Sequence, residues 1–126
     1  MRRELDFYPT PLSIVEEIVR RWVHPDMVVW EPCAGDGRLS RALGEKGCTV
    51  VSSDITSGED FFDYTEALTP VIVTNPPFRP IRKFIEHAFD IGVEKMALVC
   101  PERLWACRKG RQQFEKYRPS RWANLD

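Results

Sequence analysis

MVVWEPCAGDGR, residues 27–38, sets an apolar run against a loop that carries two glycines. Val28, Val29 and Trp30 are residue types that suit a pleated, buried surface. The run breaks at Pro32, after which Gly35 and Gly37 let the backbone turn sharply and approach a ligand closely. The segment that follows, LSRALGEKG (39–47), has apolar residues at helical spacing and closes on Gly47, a suitable helix C-cap. Strand, tight loop and helix together make the opening unit of a parallel α/β sheet.

The pattern extends in both directions. PLSIVEEIVRRWV (11–23) places Leu12, Val15, Ile18, Val19 and Trp22 on one helical face, with Thr10 as N-cap and Pro11 in the first helical position. CTVVSSD (48–54) reads as a second buried strand ending in an acid, and GEDFFDYTEALTP (58–70) as a less regular stretch. VIVTNPPF (71–78) is a β-branched strand with a rigid exit, because Pro76 and Pro77 fix their own φ and hold the preceding residues extended. RPIRKFIEHAFDIG (79–92) is helical and KMALVCP (95–101) is another strand. This alternation predicts an α/β fold with a doubly wound, mostly parallel sheet. One domain over 1–126 is expected: a helix at 11–23, a core at 27–105 and a basic tail at 106–126.

With 126 residues, 43% hydrophobic and 29% charged, the chain has the composition of one globular domain. It has no apolar run long enough for a membrane span, and MRRELDFY lacks the apolar stretch of a signal peptide, so the reading is a cytoplasmic protein. Cys33, Cys48, Cys100 and Cys107 lack metal-ligand spacing and read as free core thiols; His24 and His87 are isolated, and no metal is expected. Net charge is −1, yet residues 1–78 hold 7 basic and 13 acidic side chains while 79–126 hold 11 and 6. The two halves therefore face different partners.

In a doubly wound sheet, ligands sit beyond the carboxyl ends of the strands where the strand order reverses. EPCAGDG, SSDI and TNPPF all fall at such ends. Asp54 lies 23 residues beyond Glu31, about the distance used for a ribose-binding acid. A dinucleotide fingerprint needs a third glycine where this chain has Ser40, so the loop favours an uncharged or cationic linkage over a pyrophosphate. Acids at Glu31 and Asp36 point the same way.

E-P-C-A-G-D-G (31–37), Asp54, G-E-D-F-F (58–62) and N-P-P-F (75–78), with F-Y-P-T-P (7–11) upstream, resemble the class I methyltransferases that use S-adenosylmethionine, and more narrowly the N6-adenine DNA methyltransferases. The resemblance implies that Tyr8, Thr10 and Pro11 contact the methionine end of the cofactor. It implies that Glu31, Pro32, Ala34, Gly35 and Gly37 form the loop under the methionine and sulfonium. Asp54 would take the ribose hydroxyls with Ile55 against the adenine ring, and Asp60 and Phe61 would hold that adenine.

An exocyclic amine on adenine is a poor nucleophile because its lone pair is delocalised into the ring. Acceptors set against its two hydrogens favour the tetrahedral geometry that attack requires. Asn75 offers a side-chain oxygen and Pro76 a carbonyl, Pro77 stiffens the turn, and Phe78 can stack on a base rotated out of its helix. A cytosine-C5 reaction would need a cysteine nucleophile after the strand at 71–74, and none is there.

Arg79, Arg82 and Lys83 beside this turn, with Arg108, Lys109 and Arg111 in the tail, form an expected phosphate-contacting face. DNA is the expected partner, with RNA bases or protein glutamine as other substrates of the same chemistry, and a non-catalytic cofactor-binding subunit as the reading from another class. The last strands and the target-recognition region of the resembled family are not expected here, so the sheet is read as C-terminally shortened. MALVC (96–100) would then be an edge, open to a second copy or a partner chain.

Overall fold

The computed structural model describes residues 10–77, 79–100, 102–105, 107–121 and 123. Four strands, β1 (Val28–Glu31), β2 (Thr49–Ser52), β3 (Val71–Thr74) and β4 (Lys95–Leu98), form one parallel sheet in the order β2-β1-β3-β4. Among the described residues four α-helices accompany them: α1 (Leu12–Arg21), α2 (Arg38–Lys46), α3 (Ile81–Asp90) and α4 (Arg108–Lys116). The register runs Val29↔Val50, Trp30↔Val51 and Trp30↔Ile72, then Ile72↔Met96 and Val73↔Ala97. The chain leaves β1 toward β2, then crosses to β3 on the other side, so the order reverses between β1 and β3.

Strand residues alternate between two cores, as a pleat demands. Val29 and Val73 pack with Val15 and Ile18 of α1 and Leu39 and Leu43 of α2. Trp30 and Ile72 pack with Phe61, Phe84 and Ala88 on the side of α3. The doubly wound parallel sheet expected from the alternation is thus the observed fold.

The elements are shorter than their sequence patterns. α1 starts at Leu12 with Pro11 as N-cap, and no side chain caps it, so Thr10 is not the cap that its position suggested. Leu12 is 62% exposed, whereas Val15 and Ile18 are buried in the core and Ile14 and Val19 pack against it. Gly47 closes α2 as expected, at φ 113°, with Cys48 N donating to the Leu43 carbonyl at 3.1 Å.

Within the expected tail, Arg108–Lys116 form α4: Gln113 and Tyr117 anchor it to α3, and Tyr117 stacks on Phe89 at 4.4 Å. Among the described residues β4 pairs on one side only, with β3. No described helix is long and apolar enough to cross a membrane, and no described cluster of His, Cys, Asp and Glu could hold a metal ion.

None of the four cysteines is in a disulfide, but Cys48 alone is buried; Cys100 and Cys107 are exposed, which corrects the reading of all four as core thiols. Burial pushes the Cys48 thiol up. The backbone N–H of Gly110 and the Arg82 guanidinium hold Cys107 below the ordinary thiol range. In the native protein, iodoacetamide followed by peptide mass spectrometry should modify Cys107 before Cys48. Equal rates would contradict this placement.

Candidate active site

Both strands that flank the reversal end in side chains that hold the site. At the end of β1, Glu31 is 1% exposed. Its Oε1 accepts from the Ser40 hydroxyl of α2 at 2.6 Å and its Oε2 from the Thr74 hydroxyl of β3 at 3.1 Å. Burial pushes its carboxyl up to about 7, against those two hydrogen bonds, and the charges of Asp54 and Asp36 push the same way. A full negative charge at Glu31, expected from the sequence, is therefore halved near neutral pH.

Gly35 and Gly37 turn the loop out of β1 at φ 56° and 82°, conformations that L side chains rarely adopt. Asp36 is exposed and paired with Arg38 at 3.5 Å. Arg38 was not anticipated at all: its Nη1 donates to the Thr10 carbonyl at 2.9 Å and ties the segment before α1 to the glycine loop. The signal was an arginine at the first helical position, which sequence reasoning alone reads as solvent-facing.

Asp54, 4% exposed, binds the same loop: its Oδ1 accepts from Gly35 N at 3.1 Å. Its Oδ2 accepts from the backbone N–H of Thr56 at 3.1 Å and from the Thr56 hydroxyl, capping a short 3-10 turn at Ile55–Ser57. Asp60 likewise caps the turn Phe61–Asp63, accepting from Phe62 N at 2.9 Å. Phe61 is 4% exposed and stacks on Phe84 at 4.3 Å, so its ring belongs to the core. The exposed ring at this turn is its neighbour Phe62.

A cleft of about 230 Å3 opens beside these elements, lined among others by Pro32, Asp54, Ile55, Asp60, Phe61 and Pro77. Cys33, Phe62, Pro80 and Phe84 also line it and were not anticipated. Ladder pairing stops at Thr74, whose carbonyl accepts from Val99 N at 3.1 Å. Asn75 follows, 8% exposed, with its Nδ2 donating to the Thr10 hydroxyl at 3.3 Å, and Pro76 is buried beside it. Thr10, Pro32, Ala34, Gly35 and Gly37 thus gather around the ends of β1 and β3, while Pro11 is exposed at the head of α1 and Tyr8 and Phe78 lie outside the described residues.

Of the expected basic face, Arg82, Lys83 and Lys109 line one groove between α3 and α4, whereas Arg79, Arg108 and Arg111 are exposed and do not line it.

The fold resembles that of the 23S rRNA methyltransferase ErmE. Its crystal structure superposes with a TM-score of 0.63 at 18% sequence identity, over 83% of this chain. The match spans 52% of the ErmE chain, about half its length. No family model matches the chain, and the search of curated proteins found no match.

Proposed function

We propose that this chain transfers a methyl group from S-adenosylmethionine to the exocyclic N6 of adenine in nucleic acid, with DNA as the substrate. The observation that carries this reading is the meeting of the glycine loop and the N-P-P turn at one reversal of strand order, tied together by Glu31 and Thr74.

The residues present fit the cofactor. The loop after β1 carries two glycines at positive φ, and Ile55, Phe62 and Pro77 give the cleft apolar walls suited to an adenine ring. Ribose hydroxyls would displace the Thr56 hydroxyl from Asp54, a side chain free to rotate away. Asp60 and Phe61 line the same cleft, and Thr10, Pro11 and Tyr8 would close the methionine end. When bound, S-adenosylmethionine supplies an electrophilic methyl group.

This chain's own residues supply positioning. With the Asn75 amide nitrogen on Thr10, its oxygen occupies the other branch of the side chain, and the two prolines hold the Pro76 carbonyl beside it. Two fixed acceptors orient one amine and favour its pyramidal form, at no cost in reorganisation during the step. Phe78 would stack on the base. Arg79, Arg82, Lys83, Arg108, Lys109 and Arg111 would contact the backbone phosphates.

Transfer to RNA is the second reading, favoured by the likeness to a 23S rRNA methyltransferase. A cofactor-binding subunit that needs a partner is the third, supported by the outer edge of β4, which pairs with no described strand. The test is transfer of labelled methyl from S-adenosylmethionine to DNA, RNA and protein, with Asn75→Ala alongside. Label in DNA adenine that disappears in Asn75→Ala is the expected result. Label in RNA alone moves the substrate to the second reading, and cofactor binding without transfer to any substrate overturns the catalytic one.

A further inference from the structure

α3 and α4 enclose a groove of about 510 Å3, lined among others by Phe62, Arg82, Lys83, His87, Lys109 and Gln113. Three buried polar atoms without a hydrogen-bond partner in the structure, Arg82 Nη1, His87 Nε2 and Gln113 Oε1, all belong to residues on this one groove. Buried polar groups ordinarily find partners, so three orphans among the residues of one groove call for a ligand.

The Gln113 amide cannot be reversed to relieve its orphan. Its Nε2 donates to the Arg82 carbonyl at 3.0 Å and to Glu86 Oε2 at 3.3 Å, so a flip would set oxygen against two acceptors. On a side chain 6% exposed, Oε1 is left needing a donor. Arg82 has Nη2 against Cys107 Sγ at 3.1 Å and leaves Nη1 needing an acceptor.

Glu86 accepts from Lys116, Gln113 and Tyr117 and is satisfied within the protein. Asp90 is the other acid on the wall, against the cations Lys83 and Lys109. Phe62, 40% exposed and tilted against His87 at 5.4 Å, borders both this groove and the cleft above β1 and β3.

A donor and an acceptor on one edge, a flat face and a negative charge are together the properties of an unpaired nucleotide. We infer that the groove seats a nucleotide flanking the one to be modified, its base stacked on Phe62, its edge satisfied by Gln113 and Arg82 and its phosphate by Lys83 and Lys109. The inference rests on the nucleic-acid reading above. Inorganic phosphate or duplex backbone would use the lysines and leave Phe62 and Gln113 idle.

The test is binding of a short fluorescein-labelled single strand, followed by anisotropy across a salt series with no cofactor present. Phe62→Ala, a change at an exposed ring, is expected to weaken binding about 10-fold with the salt slope retained. Lys109→Gln is expected to lower the slope by about 0.7. Unchanged affinity in Phe62→Ala, with Lys109→Gln still lowering the slope, means backbone contact alone and overturns the groove. Methyl transfer to nucleic acid with that unchanged affinity overturns the groove and spares the reaction. Stacking-dependent binding by a chain that transfers no methyl group upholds the groove and overturns the reaction.

Discussion

Trp30→Ala is expected to cost about 3–5 kcal/mol of folding stability, read as a lowered urea midpoint with little change in slope. Trp30 is fully buried between β1 and the turn at Phe61–Asp63, with its ring 5.3 Å from Phe61 and 5.0 Å from Tyr64. Truncation removes the largest side chain of that core, and the backbone of a central strand cannot collapse into the space. Domains of this size hold roughly 5–15 kcal/mol in all, so the variant approaches the unfolding limit.

The indole N–H adds a polar component, donating to the Ser53 hydroxyl at 3.0 Å. Trp30→Phe keeps much of the volume and drops that bond, and should cost about 1–2 kcal/mol. A loss below about 1 kcal/mol in Trp30→Ala would mean that this core is not the one holding the sheet. The effect reaches the cleft as well. Ser53 bridges the end of β1 and the glycine loop through Ser53 N to the Glu31 carbonyl at 3.0 Å and Ala34 N to the Ser53 carbonyl at 3.1 Å.

That bridge illustrates what the sequence disclosed and what it withheld. Runs of β-branched residues ending in glycine or proline are local signals, so the strands, their parallel order and the three converging loops were legible. Thr10 has a local role available, as a helix cap, and a distant one, as the partner of Asn75 across 65 residues; the distant one prevails in the fold. Phe61 and Phe62 are adjacent and chemically identical, and only packing against Phe84 decides which ring is buried. The groove between α3 and α4 was visible only as scattered basic residues, because its shape depends on how Gln113 docks on the carbonyl of Arg82.

Ser40 is the clearest case of a residue known by what it was not. The sequence marked it as the missing third glycine of a dinucleotide loop. In the structure its hydroxyl links Ser52 at 2.8 Å to the buried Glu31 at 2.6 Å.

Glu31 gives the second large effect, a fall in stability as pH rises through neutrality. Its carboxyl stands at about 7 in the folded chain against an ordinary value of 4.5, so between those values the folded state keeps a proton that the unfolded state has lost. Stability must then decline with pH: the contribution is complete below about pH 4.5, shrinks as pH climbs and is gone above about 7. A shift of this size corresponds to about 3 kcal/mol.

Glu31→Gln removes the titration while preserving the contacts, since its oxygen can accept from Ser40 and its amide nitrogen can donate to the Thr74 hydroxyl. Urea unfolding at pH 5 should find the two proteins close to equal. At pH 8 the glutamine variant should be the more stable by up to about 3 kcal/mol, because it alone avoids burying a charge that Ser40 and Thr74 satisfy only in part. If the native protein is instead equally stable at both values, the carboxyl is ionised throughout, and a cation near the glycine loop would meet a full charge at Glu31.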